Sequence, residues 1–521
     1  MEQAPISGEM KMKIKMISTV ALTLVSALAA AYAIAAEPPK MKMTTDIPES
    51  ITTPDSVETR LGTLNFFDGM PDDATVQKAY ENLDFMRGVD VFLNFIPATS
   101  IEGMRRGHLE LGATQSNHVM VMDTLMSSKP LFLTGNTDTV YASAILDLQR
   151  DGPIVVEVPQ GAGPGTVNDA FFRFVTDMGA PGPDRGQGGK YLVLPPNYDG
   201  EVPEGYFVAE SRTYVNWLIL RGFLVDGKPD AASKMWRTGL KIYPLAQAGN
   251  PPAMKFVDAS QRPFNTVHAN NIEFYEELHT VIDREPVDFV EPQLLGIAAA
   301  IGIQKGKPFA PDARLRAILE EAVAVGNATA RAIWLKPRDE RAYYYENSCW
   351  YTGFVGGDYR WFMENGEGAR NMDARTLFFY SATVNTPAMA AKMIGRGSQY
   401  GFCAIDSDGN YLDGNKNYKL RIPANVPAKD FWSVVVYDPQ TRSELQTDQT
   451  FPSVNNKKTP LVYNDDGSVD LYYGPAAPAG KESNWTQTVP GKGWFVLIRL
   501  YGPLEPWFDR SWKPGEFELV D

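Results

Sequence analysis

The spacing of apolar residues changes character along this chain, and each change marks a predicted element. After Asp72 and Asp73, the apolar positions Val76, Tyr80, Leu83 and 85–92 keep one face at helical spacing. Pro97 is the expected stop, with a second short helix over 101–109. From Pro130 the pattern becomes short runs broken by Gly, Pro and Asp clusters. Strands are expected at 130–134, 140–148, 154–158, 171–176, 191–194, 206–210 and 215–220. Regular short strands with turn punctuation indicate an antiparallel β-sandwich. The stretch 230–341 reads as helical, with helices over 265–283, between Pro292 and Gly302, and after Pro311-Asp312, where Leu315, Ile318, Leu319, Ala322 and Val325 share a face. Strands return at 376–382, 400–405, 418–421, 432–436, 469–473 and 494–500, joined by Asp-Gly turns at 406–409 and 465–467 and a glycine turn at 491–493. No repeat of solenoid period occurs.

Ahead of these elements, Lys11, Lys13 and Lys15 precede an apolar run at 17–31, and Ala33-Ile34-Ala35 offers a cleavage site. Residues 1–36 therefore read as a signal peptide. The run is shorter than the ~20 apolar residues a spanning helix needs, and an uncleaved anchor is the alternative. Translation starting at Met10, Met12 or Met16 also fits. The expected location is periplasmic or secreted, with no membrane span once the leader is gone. The polar, Pro-containing segment 37–70 reads as a flexible tether. The expected organisation is mainly β with a helical insert: helices plus an N-terminal antiparallel β-sandwich over 71–225, a central α-helical domain over 226–345, and a C-terminal β-sandwich over 346–521.

Composition narrows the function classes. The chain has 521 residues, 44% hydrophobic and 21% charged, with a formal net charge of -14. Without a basic run, that balance argues against a nucleic-acid partner. Cys349 and Cys403 either form a disulfide in an oxidising compartment or are separately buried small hydrophobes. No C-x-x-C occurs, and His108, His118, His268 and His279 lack ligand spacing, so no metal site is expected. The glycines of 180–189 are not followed by a helix and form no phosphate cradle. No Rossmann, Walker or G-x-S-x-G pattern appears, so neither a bound cofactor nor a standard serine hydrolase is expected.

Polar residues inside apolar strands are the candidates for chemistry. In GNTDTVY, Asn136, Asp138 and Tyr141 could bind a polar substrate and move protons, or could simply shape the turn into the strand. Arg173 and Asp177, four apart on one predicted strand, form either a clamp for a carboxylate or sugar hydroxyl, or a satisfied salt bridge. In the C-terminal unit, Asn484 and Trp485 together with Arg499 and Tyr501 look most like a site. Arg499 and Tyr501 point to one face of their strand, and an arginine among Val496 and Ile498 is costly unless paired. The functional version is an anion- or sugar-binding platform with Trp485 and Trp432 as stacking surfaces, and the structural version is core packing.

The segments TGNTDTVYASAILDL (134–148) and GPIVVEVP (152–159) resemble the family called domain of unknown function 1254. FWSVVVYD (431–438), NDDGS (464–468), ESNW (482–485) and FVLIRLYGP (495–503) resemble its partner, domain of unknown function 1214. The likeness covers most of the chain after the leader, including AIGIQKGKPF (300–309). It implies a β-sandwich, an inserted helical domain and a jelly-roll-like C-terminal β-sandwich, and it implies no reaction. Two function classes follow. One is an envelope enzyme acting on a small polar or saccharide-like molecule, with Asp138 as acid or base and Tyr141 and Arg499 orienting charge. The other is a non-catalytic ligand-binding or scaffold protein, a homo-oligomer whose Tyr and Trp residues suit interfaces.

Overall fold

A computed structural model describes residues 43–363, 367–457 and 459–520. The expected signal peptide lies outside the described residues. The chain divides into two compact units, residues 1–79 and 80–521. In the first, the segment read as a tether carries a three-stranded antiparallel sheet of Ser56–Thr59, Gly62–Phe67 and Met70–Pro71.

The helix that follows runs unbroken over Asp73–Glu110, through Pro97. A helix-interior proline costs about 3 kcal/mol. Here the side chains around it, Phe95, Ile96, Ala98 and Ile101, are all buried, and that packing outweighs the lost bond. Gly103 and Gly107 let the same helix approach the backbone of Asn265 and Thr266, where a Cβ would clash.

Four sheets make up the rest. A six-stranded sheet has the order Lys255–Asp258, His118–Val121, Thr139–Asp147, Val215–Phe223, Pro164–Asp169, Phe174–Gly179. Its Val140, Ala142, Ala144 and Leu146 alternate onto one face. They share a core there with Ile154, Val156, Tyr191 and Ile242 of a four-stranded sheet, closed by Trp236. The opposite face, with Tyr141, Trp217 and Ile219, packs with buried residues of the helices Asp73–Glu110, Glu273–Arg284, Ala313–Leu335 and Met372–Ser381. That core also takes Tyr400, Phe402, Val435, Tyr437, Phe495 and Leu497 from a C-terminal sheet of order Ser398–Cys403, Phe495–Pro503, Ala428–Tyr437, Ser453–Asn455. The far side of the C-terminal sheet, with Trp432, Val434, Ile498 and Leu500, shares a third core with Tyr418, Leu471 and Phe517 of the last sheet. Cys349 and Cys403 are disulfide-bonded. Among the described residues no helix is long and apolar enough to cross a membrane. The chain thus mixes helices and β-sheets, without a closed barrel.

Several expected elements differ. Residues 376–381 lie in a helix, Met372–Ser381, opened by the Asn371 side chain accepting from Ala374 N at 3.0 Å. It is buried on every side, so no polar face betrays its period. The stretch read as all-helical contains the strands Lys241–Pro244 and Lys255–Asp258. Their four residues each are too short to show alternation. Residues 130–134 make only an isolated bridge through Leu131. His118 opens a strand, His118–Val121. The sheets are not wholly antiparallel: Phe207–Glu210, Lys255–Asp258 and Trp485–Gln487 each pair in parallel with one neighbour. Alternation reports which face is buried and carries no strand direction, and each of these strands returns through a long enough connection to run either way.

Candidate functional site

Several of the candidate residues stand in the central layer, where the six-stranded sheet and the C-terminal sheet share a core. Four residues of the C-terminal sheet stand in a lateral row: Tyr400 opposite Arg499, Arg499 opposite Ser433, Ser433 opposite Asn455. The loop leading into Thr139–Asp147 docks on this row. Thr134 sits there at φ 42°, an outlier for a β-branched residue. Its carbonyl is held by Arg499 Nη2 at 2.6 Å, which also donates to Gly135 O at 3.1 Å and to the Tyr437 hydroxyl at 2.7 Å. Tyr437 in turn donates to Gly135 O at 2.6 Å.

Asp138 is buried, 1% exposed, and belongs to the tie between the two sheets. Its Oδ2 accepts from Ser433 Oγ at 2.6 Å and its Oδ1 from Asn455 Nδ2 at 2.9 Å. The Tyr501 hydroxyl stands 3.5 Å from Oδ2. Asn136 is the turn-former: its Oδ1 accepts from the backbone N–H of Asp138 at 2.9 Å and of Thr139 at 3.0 Å, and its Nδ2 donates to the Tyr141 hydroxyl. None of the five best-formed cavities among the described residues is lined by Asp138 or Asn136. Both oxygens of Asp138 are engaged in holding the two sheets together, the structural alternative to the acid–base role expected of it.

Tyr141, Arg499 and Tyr501 stand around a residue that the sequence reading missed. Arg221 stands directly opposite Tyr141 on the neighbouring strand, its guanidinium 5.9 Å from the phenol ring. It lines three spaces. The first is a cavity of about 30 Å³ with Phe132, Tyr141, Tyr400 and Arg499. The second is a slot of about 10 Å³ with Thr166, Asp177 and Thr386. The third is a larger cavity of about 500 Å³ with Arg185, Arg396, Lys429, Asp430 and Tyr501. Arg221 is only 7% exposed, and among the described residues its guanidinium makes one hydrogen bond, a long contact of 4.0 Å to Met389 Sδ. No ion pair is made by Arg221, Arg185, Arg396 or Lys429 among the described residues.

Titration follows from burial. Burial pushes the Tyr141 phenol up, and burial and Asp138 push Tyr501 well above the ordinary value, so both stay protonated at neutral pH. Burial raises Asp177 to about 6, against hydrogen bonds from Thr386 and Thr166 and the charge of Arg221. His108 is lowered to about 4 by burial, bonded to Met104 O at 2.7 Å and Ser143 Oγ at 2.9 Å, away from these spaces. Among the described residues no three His, Cys, Asp or Glu side chains are placed to hold a metal ion.

The other candidates lie elsewhere. Trp432 stands opposite Leu500, one residue out of phase with Arg499, and faces the C-terminal core. Asn484 bonds the backbone of Val462 and Asp470, and Trp485 Nε1 donates to Gly474 O at 3.0 Å, so both fasten the last sheet. Arg173 does not pair with Asp177. It binds Asp169 at 2.7 Å, while Asp177 accepts from Thr386 Oγ1 at 2.7 Å. The cause is a strand that begins only at Phe174, so Arg173 lies in the preceding turn.

The fold is similar to that of the VPA0106 protein from Vibrio parahaemolyticus, whose crystal structure matches with a TM-score of 0.52 at 18% identity, covering 84% of this chain and 100% of that one. That likeness concerns the fold alone. The crystal structure of an uncharacterized protein from Burkholderia cenocepacia matches with a TM-score of 0.39 at 12% identity, covering 85% and 96%. No curated protein matches the chain. Residues 116–244 match the family model described as Protein of unknown function (DUF1254), and residues 397–505 match the one described as Protein of unknown function (DUF1214). The chain therefore pairs a DUF1254 region with a DUF1214 region, in the order that its sequence resembles.

Proposed function

We propose that this chain is a cell-envelope protein that binds a small polar organic anion, a carboxylate or a sugar phosphate, in the cavity floored by Arg221 and Tyr501. One observation carries the reading: a buried guanidinium that forms no ion pair among the described residues, open to a cavity whose other cations, Arg185, Arg396 and Lys429, form none among them either. An arginine always carries its charge, and burying one unpaired costs several kcal/mol. A bound anion would supply the missing charge and two acceptors for the planar fork. Asp177, raised to about 6, lines the adjoining slot. It is the group with which a ligand there could exchange a proton, and in an enzymatic reading it takes the acid–base role first expected of Asp138.

The envelope location is supported by the leader pattern and by the bonded pair Cys349 and Cys403. We read the two sheet pairs as an N-terminal sandwich and a C-terminal jelly-roll-like sandwich, on the strength of the apolar core that each pair shares. Titrating the protein with inorganic phosphate, succinate and glucose 6-phosphate in a calorimeter tests the ligand class. Saturable binding of at least one probe is expected, weakened about tenfold or more in Arg221→Gln, the loss of a charge-assisted hydrogen bond. Equal affinities for the two proteins would refute the assignment. Cell fractionation tests the location, with the chain expected in the periplasm or medium.

A further inference from the structure

A second cavity, of about 310 Å³, opens between the Phe174–Gly179 edge of the six-stranded sheet and residues 359–362, 370 and 375. It shares no lining residue with the cavity at Arg221. Its walls are unusual in pairing guanidinium groups with aromatic rings. Arg375 is 5% exposed; Nη2 donates to Asn94 Oδ1 at 2.7 Å, while Nε is buried with no partner. Arg173 commits Nε to Asp169, and its Nη2 is likewise buried without a partner. Arg370 donates to Arg360 O at 2.5 Å and forms no ion pair among the described residues.

The rings are arranged around these groups. Phe171 lies under both Arg173 and Arg375, at 5.7 and 5.8 Å. Phe362 lies under Arg370 at 4.6 Å and Arg360 at 5.3 Å. Ring faces relieve part of the cost of buried cations. They do not satisfy the N–H groups, which need an acceptor. Burial and the neighbouring arginines push Arg370 and Arg375 down, Arg375 to about 10; Asp169, paired with Arg173, and Glu210 also line the cavity. Glu291 is the carboxylate that offsets both, and it is exposed.

We propose that this cavity is a second ligand site, built for an aromatic carboxylate. The two carboxylate oxygens would accept from Arg375 Nε and Arg173 Nη2, the two donors left open. The ring would lie among Phe171, Phe174, Tyr359 and Phe362. Both donors are buried, so the ligand's head must enter and leave its own water behind, which favours a weakly hydrated carboxylate over inorganic phosphate. The volume falls within the range of small-molecule sites, roughly 300–1,000 Å³.

The test uses the full chain and three probes, benzoate, cyclohexanecarboxylate and inorganic phosphate, followed by intrinsic tryptophan fluorescence, since Trp361 lines the cavity. Benzoate is expected to bind saturably and more tightly than the other two. Arg375→Gln should weaken it about tenfold or more. Arg370→Gln, at a half-buried position that threatens folding less, should weaken it severalfold. Arg221→Gln should leave benzoate binding unchanged. Benzoate binding that does not saturate, or that is untouched by both Arg375→Gln and Arg370→Gln, would overturn the site. Phosphate binding as tightly as benzoate would overturn the aromatic assignment, and loss of benzoate binding in Arg221→Gln would move the ligand to the other cavity.

Discussion

Replacing Asp138 by alanine removes the acceptor through which the 134–139 loop grips the C-terminal sheet. The two shortest bonds lost are those from Ser433 Oγ at 2.6 Å and Asn455 Nδ2 at 2.9 Å, beside longer ones from Thr137 Oγ1 and the Tyr501 hydroxyl, and the donors stay buried. A hydrogen bond to a charged group contributes about 1.5–3 kcal/mol, and each orphaned donor adds a desolvation cost. Asp138→Ala should therefore destabilise the protein by about 3 kcal/mol or more, and Asp138→Asn, which keeps one acceptor oxygen, by roughly half of that. Urea unfolding followed by tryptophan fluorescence reads this as a lower midpoint at unchanged slope. A loss below about 1 kcal/mol in Asp138→Ala would refute the argument, because surface substitutions alone reach about 0.5 kcal/mol. A stable Asp138→Asn protein that had lost turnover would instead return Asp138 to the acid–base role.

Three further outcomes follow from the structure. Asp177 is raised to about 6 by burial, so its contribution to stability is complete below its unfolded value near 3.8 and is lost as pH rises through about 6. The stability difference between wild type and Asp177→Asn should thus shift against the wild type between about pH 4 and 6, measured by unfolding midpoints in that range; a flat difference would contradict it. Glu277 and Glu285, both raised to about 7 by burial, shift stability in the same direction, and the single-variant comparison removes their contribution. Cys349 and Cys403 are 54 residues apart, and opening a loop of that length by Cys349→Ser should cost about 4 kcal/mol, checked by unfolding with and without reductant. Gly103→Ala places a Cβ 2.4 Å from Thr266 O and should cost about 1–3 kcal/mol in the same assay, with no cost expected only if the helix packs elsewhere.

Much of the site was legible from one rule, that an arginine inside an apolar strand is expensive. The rule found Arg499 in FVLIRLYGP. It would have found Arg221 in VNWLILRGF, had that strand not been ended at Leu220; it runs on to Phe223. The parity of the strand placed Tyr501 with Arg499 correctly. Trp432 was misassigned because its partner strand pairs Ser433, and not Trp432, with Arg499, and register between distant strands is invisible in either strand alone. Asn136 and Asp138 were recognisable as polar residues at a strand entry. That Asp138 is closed off depends on Ser433 and Asn455, about 300 residues away, which no local pattern announces. The helix Met372–Ser381 and the run through Pro97 were lost for a shared reason. Burial on all sides erases periodicity, and tertiary packing overrides a local breaker.

The most direct test of the anion assignment is a crystal structure of the full chain grown with glucose 6-phosphate. The account predicts an anionic oxygen within about 3.0 Å of the Arg221 guanidinium, with the sugar in the cavity beside Tyr501 and Lys429. A cavity holding only water, with Arg221 turned onto a carboxylate of the protein itself, would contradict it.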